Sequence, residues 1–162
     1  MPKKVKAYIK ELYKPKEEFG GMPTCPYAHP HVLEDKMDIR EWDPKKTNII
    51  DELKAFVKSD YRSTAWYVKD TSSLFKTGSP EETDAWTEDI NERALNKHDL
   101  GVYMATFNPK DKLNVNGFAP RSMSPYFIVG VAYLDELNEA HEKLMDTKYF
   151  DKLSGEYKEQ LV

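Results

Sequence analysis

The chain has 162 residues, of which 40% are hydrophobic, 12% aromatic and 32% charged. This length and apolar content are typical of one globular domain over 1–162 and argue against a disordered chain. Its 24 basic and 28 acidic residues are interspersed and leave a net charge of −4, so no basic field is available for nucleic acid or anionic lipid.

The cysteine count and the shortness of the apolar runs indicate the cellular compartment of the protein. A single cysteine cannot form an internal disulfide, so nothing in the sequence requires an oxidising environment. The first residues are charged and lack the apolar run of a signal peptide. No apolar stretch approaches the roughly 20 residues that cross a bilayer. We therefore expect a cytoplasmic protein with no membrane segment.

The first predicted element is an amphipathic helix over 3–13. Its apolar residues recur at helical spacing, and Pro15 ends the pattern. Residues 20–31 follow, with the only cysteine and two of the four histidines. Three prolines in this stretch fix φ and remove backbone donors, which excludes a helix or a central strand. We predict a stiff, irregular loop that holds Cys25, His29 and His31 close together.

This loop supports two chemical interpretations and one structural one. As a thiolate and two imidazoles, Cys25, His29 and His31 suit zinc, copper or iron, with a fourth ligand from elsewhere. As a catalytic group, Cys25 would be a nucleophile or redox thiol whose pKa a neighbouring histidine lowers. In the structural interpretation, the cysteine is a small buried side chain and the histidines are solvated.

The rest of the chain alternates between helix and strand after a polar linker at 32–43. We predict strands at 64–69, 102–107 and 126–133, of which the last is the most apolar and therefore central. Helices are expected at about 47–59, 80–95, 134–145 and 149–161, and Ser79 and Glu82 form a capping box for the second of these. The strand-helix-strand span 64–107 suggests a βαβ unit with parallel strands. The fold class is therefore α/β (mixed α+β), with a small, partly parallel sheet of at least three strands covered by about five helices.

A second candidate cluster flanks the long loop at 108–123. Asn108 follows one strand, while Arg121, Ser124 and Tyr126 precede the central one. Arg121 can hold a carboxylate or phosphate with two hydrogen bonds, and serine hydroxyls add donors. These four residues therefore predict a binding site for a small anionic metabolite. The alternative is a turn stabilised by serine and proline, with Arg121 solvated.

Both clusters carry a family resemblance. Cys25-Pro26-Tyr27-Ala28 resembles the Cys-Pro-Phe-Ala signature of an uncharacterised bacterial family, domain of unknown function 1415. Phe107-Asn108-Pro109 and Ser124-Pro125-Tyr126 stand where that family has Phe-His-Pro and Ser-Pro-Tyr. This chain has Asn108 in place of the family's histidine and Met123 in place of its arginine. The resemblance implies that Cys25 and Ser124-Pro125-Tyr126 form a joint site, and it names no reaction.

Together these observations predict that the Cys25 loop packs at the carboxyl ends of the strands, near Phe107 and the turn at 121–126. Crevices at strand ends are where open α/β sheets bind ligands. The function we expect is a small-molecule enzyme with a Cys25-centred site. The alternatives are a metal-binding protein that uses Cys25, His29 and His31, and a non-enzymatic interaction module rich in tyrosine and tryptophan.

Overall fold

The computed structural model describes residues 3–13, 15–16, 22–23, 35–112 and 121–145. Its helices are α1 (Lys3–Tyr13), α2 (Ile49–Val57), α3 (Pro80–Asn96) and α4 (Leu134–Met145). Its strands are β1 (Pro15–Lys16), β2 (Met22–Pro23), β3 (Met37–Glu41), β4 (Ser63–Val68), β5 (Val102–Phe107) and β6 (Phe127–Tyr133). Within these described ranges, no helix combines the length and the apolar character needed to cross a membrane.

The strands form two sheets. β1 and β2 make a short antiparallel pair in which Pro15 lies opposite Pro23. The main sheet has the order β3-β4-β6-β5, with β3 parallel to β4 and β6 antiparallel to both of its neighbours. The predicted mixed, partly parallel class is confirmed, with four helices in the described part of the chain. The helix predicted at 149–161 lies outside the described residues.

The relation between β4 and β5 differs in one respect from the predicted βαβ unit. Both strands run antiparallel to β6, so they are parallel to each other in direction, as expected. They are not neighbours, because β6 is inserted between them. The adjacent parallel pair is β3–β4, which α2 connects. The central position predicted for the apolar strand at 126–133 is confirmed.

β3 occupies part of the stretch that the sequence predicts to be a polar linker, and that prediction is wrong for Met37–Glu41. Met37 and Ile39 pack against the core cluster beneath α1. Asp38 and Arg40 alternate with them, and the Asp38 carboxylate accepts hydrogen bonds from Arg40 and from the Trp66 indole, each at 3.0 Å. Because partners on the sheet satisfy these charges, a strand can carry them although its composition resembles that of a linker.

The core lies on both faces of the main sheet. Along β4, side chains alternate between the two faces, so Trp66 packs beneath α2 and α3 while Tyr67 packs beneath α1. The first face holds the larger cluster, which includes Trp42, Leu53, Phe56, Ile90, Met104 and Val129. The second face is covered by the predicted apolar stripe of α1, whose members Val5, Tyr8, Ile9 and Leu12 are all buried. The arrangement is a sheet with helices on either side.

α3 begins where the capping signal predicts, at Pro80, with the Ser79 hydroxyl accepting the Glu82 N–H at 3.2 Å. The Glu82 carboxylate reaches further back than in the usual capping box. It accepts the backbone N–H groups of Lys76, Thr77 and Gly78 at 3.1, 3.0 and 2.9 Å. These bonds, the one from Gly78 first, lower the pKa of Glu82. The loop before α3 is therefore fastened to its first turn.

Candidate functional site

The carboxyl ends of β3, β4 and β5 and the amino end of β6 share one edge of the main sheet, here called the carboxyl edge. The strand directions require this, since β6 runs against its neighbours β4 and β5 and Phe107 pairs with Ile128. Asn108 directly follows β5 at this edge, and Ser124 and Tyr126 lie just before β6. The structure thus brings the predicted binding residues of the two flanking segments to one end of the sheet.

Asn108 connects the end of β5 to the start of α3. Its side chain is buried, and Nδ2 donates to the Gly78 carbonyl at 2.9 Å and to the Thr83 hydroxyl at 3.1 Å. Its Oδ1 accepts the backbone N–H of Lys110 at 2.9 Å. The Asn108 amide therefore holds the segment after β5 against the start of α3 through three contacts within the protein. Binding of a ligand by Asn108 stays a prediction.

Ser124 and Tyr126 shape the turn that leads into β6. The buried Ser124 hydroxyl donates to the Tyr126 carbonyl at 2.6 Å, and the Ser124 N–H donates to the Arg121 carbonyl at 3.1 Å. The Tyr126 ring packs at a tilt on Tyr67, with ring centroids 5.5 Å apart. These contacts agree with the predicted alternative of a serine-stabilised turn, and ligand binding by Ser124 and Tyr126 stays a prediction.

Arg121 is not the solvated side chain of that alternative. Its Nη1 lies 2.9 Å from the Asp111 carboxylate, and the two side chains are only 20% and 13% exposed. Asp84, on the first part of α3, completes the group. Burial raises the pKa of Asp84, the nearby Arg121 opposes this, and the charges of Asp111 and Glu81 add to the rise. The Arg121–Asp111 ion pair and the exposed Asp84, which is near enough for their charges to shift its pKa, are here called the edge cluster.

The sequence signals missed Asp84 and Asp111. Asp84 lies among other acidic residues on α3 and is exposed in the fold, so its sequence context does not distinguish it, and Asp111 resembles an ordinary loop residue. The proximity of Asp84 and Asp111 depends on the tertiary contact between Asn108 and the start of α3. The sequence did contain one hint for Asp111, because it lies three residues after Asn108, a predicted binding residue.

Cys25, His29 and His31 lie outside the described residues. Along the chain, the nearest described residue to Cys25 is Pro23 of β2, and the nearest to His31 is Asp35. Among the residues that the structure does describe, no group of three or more His, Cys, Asp and Glu side chains is placed to hold a metal ion. The zinc, copper or iron site predicted at the three loop residues, like the catalytic interpretation, stays a prediction.

Comparisons of the chain with protein-family models, with curated proteins and with solved structures found no match. The resemblance to domain of unknown function 1415 therefore stays a prediction. A functional assignment depends on the chemistry of the side chains at the carboxyl edge.

Proposed function

We propose that the protein is a cytoplasmic small-molecule enzyme that binds a small anionic metabolite at the carboxyl edge and acts on it with the Cys25 thiol. The observation that carries the proposal is the largely buried ion pair between Arg121 and Asp111. Withdrawing two charges from water is costly, and their attraction often fails to recover that cost. Charged groups with perturbed pKa values are concentrated at functional sites.

The edge cluster supplies two of the three chemical roles that such an enzyme needs. Arg121 presents a planar donor fork that suits carboxylate and phosphate, and an anionic ligand would take the place of the Asp111 carboxylate on it. Asp84 is an exposed residue whose pKa is raised by partial withdrawal of its carboxyl group from solvent, and it can exchange a proton with the ligand. Cys25 supplies the third role, the nucleophile or redox thiol.

Alkylation of Cys25 by iodoacetamide tests this proposal, because the chain has no other thiol. We expect a thiol pKa below the ordinary value of about 8.5 and slower alkylation when inorganic phosphate or malonate is present. Arg121→Gln should abolish the protection by the anion. Arg62→Gln removes a guanidinium at the opposite end of β4 and should leave the protection intact. An ordinary thiol pKa with no protection by either anion would contradict the proposal.

Elemental analysis separates this proposal from the metal-binding alternative. Near-stoichiometric zinc, copper or iron in the purified protein, lost in both Cys25→Ala and His29→Ala, would replace the thiol enzyme with a metal site at Cys25, His29 and His31. Metal content that is unchanged in these variants would leave the thiol as the reactive group of the loop.

A further inference from the structure

A cavity of about 570 Å³ opens between α2 and α3, on the side of the sheet away from α1. We propose that this cavity, here called the α2–α3 groove, binds a planar aromatic compound that carries a carboxylate or phosphate group. Its volume falls in the range of roughly 300–1,000 Å³ that is typical of small-molecule sites. The proposal is independent of the function assigned to the carboxyl edge, because no residue of the edge cluster lines the groove.

One wall of the α2–α3 groove is aromatic and already formed. Trp42 is fully buried and Trp86 is half-buried, and their rings stack with centroids 6.4 Å apart and planes 19° apart. The indole N–H of Trp42 donates to the Thr47 hydroxyl at 3.1 Å, and Phe75 packs edge-on against Trp86 with centroids 5.4 Å apart. Because Trp42 is fully buried behind it, Trp86 is the ring that presents surface to the groove. Its contacts with Trp42 and Phe75 hold it in place, so a flat ligand ring finds a preorganised surface on Trp86.

The rim of the groove is mainly cationic. Lys54 of α2 and Lys97, at the end of α3, line it together with Arg93, against a single lining carboxylate, Asp51. Asp51 is held by Asn48, whose amide Nδ2 donates to it at 2.8 Å, while Arg93 pairs with Asp89 at 3.4 Å. Within the described part of the chain, Lys54 and Lys97 have no carboxylate at ion-pair distance. These two ammonium groups are therefore the ones that an incoming anion would neutralise.

The pKa of His98, at the same rim, indicates a positive potential there. Partial burial is the main cause that lowers this pKa, and the charges of Lys54, Lys97 and Arg93 lower it further. Asp51 acts in the opposite direction and is the weakest of these influences. A concave site in which cations outweigh the carboxylate attracts anionic ligands, and a neutral imidazole there can also donate or accept a hydrogen bond.

The aromatic wall and the cationic rim together select the ligand class. A neutral aromatic compound would stack on the half-buried Trp86 ring and leave Lys54 and Lys97 without a counter-charge. An aliphatic anion would satisfy the lysines and make little use of Trp86. A planar ring that ends in a carboxylate or phosphate satisfies both.

Calorimetric titration of the full chain with 2-naphthoate tests the inference. We expect saturable binding, with the neutral 2-naphthalenemethanol and the non-planar cyclohexanecarboxylate each binding about tenfold more weakly. The double variant Lys54→Gln/Lys97→Gln should weaken 2-naphthoate binding by about tenfold. The double variant Lys46→Gln/Lys58→Gln makes the same change in charge at exposed residues that do not line the groove, and it should bind like the wild type.

Backbone amide NMR shifts locate the bound ligand. Changes confined to 42–54 and 86–98 support the α2–α3 groove. Changes at 108–112 and 121–126 instead would overturn the groove inference while agreeing with an anion site at the carboxyl edge. The inference also fails if 2-naphthoate does not bind at millimolar concentration, if 2-naphthalenemethanol binds equally well, or if the Lys54→Gln/Lys97→Gln variant binds like the wild type.

Discussion

Glu82 and Asn108 both bond the loop that precedes α3. Gly78 donates its N–H to the Glu82 carboxylate and offers its carbonyl to the Asn108 amide. It does so with φ at +69°, a left-handed conformation that suits glycine. Two side chains and one glycine thus determine how the start of α3 meets the end of β5. The position of Asp84 relative to Arg121 and Asp111 depends on that junction.

We predict that Glu82→Gln lowers the free energy of unfolding at pH 7 and that its effect shrinks in acid. The folded state holds the pKa of Glu82 below the ordinary value of 4.5. The ionised carboxylate therefore stabilises the fold above that pH, and this contribution is lost as the pH falls through the lowered folded pKa. Urea denaturation at pH 7 and at pH 3 measures the change.

Glu81→Gln is the matched control for Glu82→Gln, because it removes the same charge from an exposed neighbour on the same helical turn. It should change the stability less and with a weaker dependence on pH. Equal effects of the two substitutions at both pH values would show that the three N–H contacts of Glu82 do not stabilise the fold.

At the scale of elements, α3 covers the outer edge of β5. The Asn91 amide accepts the Met104 N–H at 2.7 Å and donates to the Met104 carbonyl at 2.8 Å, as a neighbouring strand would. Further along, the Thr87 and Thr106 hydroxyls lie 3.0 Å apart. The Asn91 side chain thus takes up the outward backbone N–H and carbonyl of the fully buried Met104 on this edge strand. This limits pairing of the strand with another chain at that point.

Replacing Asn91 with leucine should therefore destabilise the protein by about 1–3 kcal/mol, because the Met104 N–H and carbonyl lose their partner in a buried position. Urea denaturation measures the loss, and faster hydrogen exchange of the Met104 amide should accompany it. Glu92→Leu, at the exposed next position, should stay within about 0.5 kcal/mol of the wild type. A loss no larger for Asn91→Leu than for this control would rule out the edge-covering role.

Elements with a strong local pattern could be predicted from the sequence, and those that depend on distant contacts could not. α1 has the predicted bounds because its apolar stripe is periodic, and α3 starts at Pro80 because its capping residues are local. β3 was missed because its charged side chains are satisfied by each other and by Trp66 and Glu52 on other elements. In the same way, the sequence predicted Arg121 as a candidate but not its ion-pair partner Asp111 or the nearby Asp84, because their proximity arises only in the fold.

At the scale of the whole molecule, strand order decides which segments meet. A local strand-helix-strand pattern predicts that β4 and β5 are parallel, but the insertion of β6 between them depends on pairing across the fold. The antiparallel pairing of β5 with β6 brings the segments after β5 and before β6 to the carboxyl edge together. The candidate anion site involves Asp84 near the start of α3 and the α2–α3 groove involves its later residues, so one helix contributes to both.

The central claim is that the Cys25 thiol lies at the carboxyl edge, and a spin label on this single cysteine tests it most directly. The strands of the main sheet are about 20 Å long, so the two ends of the sheet are distinguishable by the broadening of backbone amide signals. We predict the strongest broadening at 108–111 and 121–126. Strongest broadening at Val102 and Tyr133, at the opposite end of β5 and β6, would contradict the claim and remove Cys25 from the proposed site.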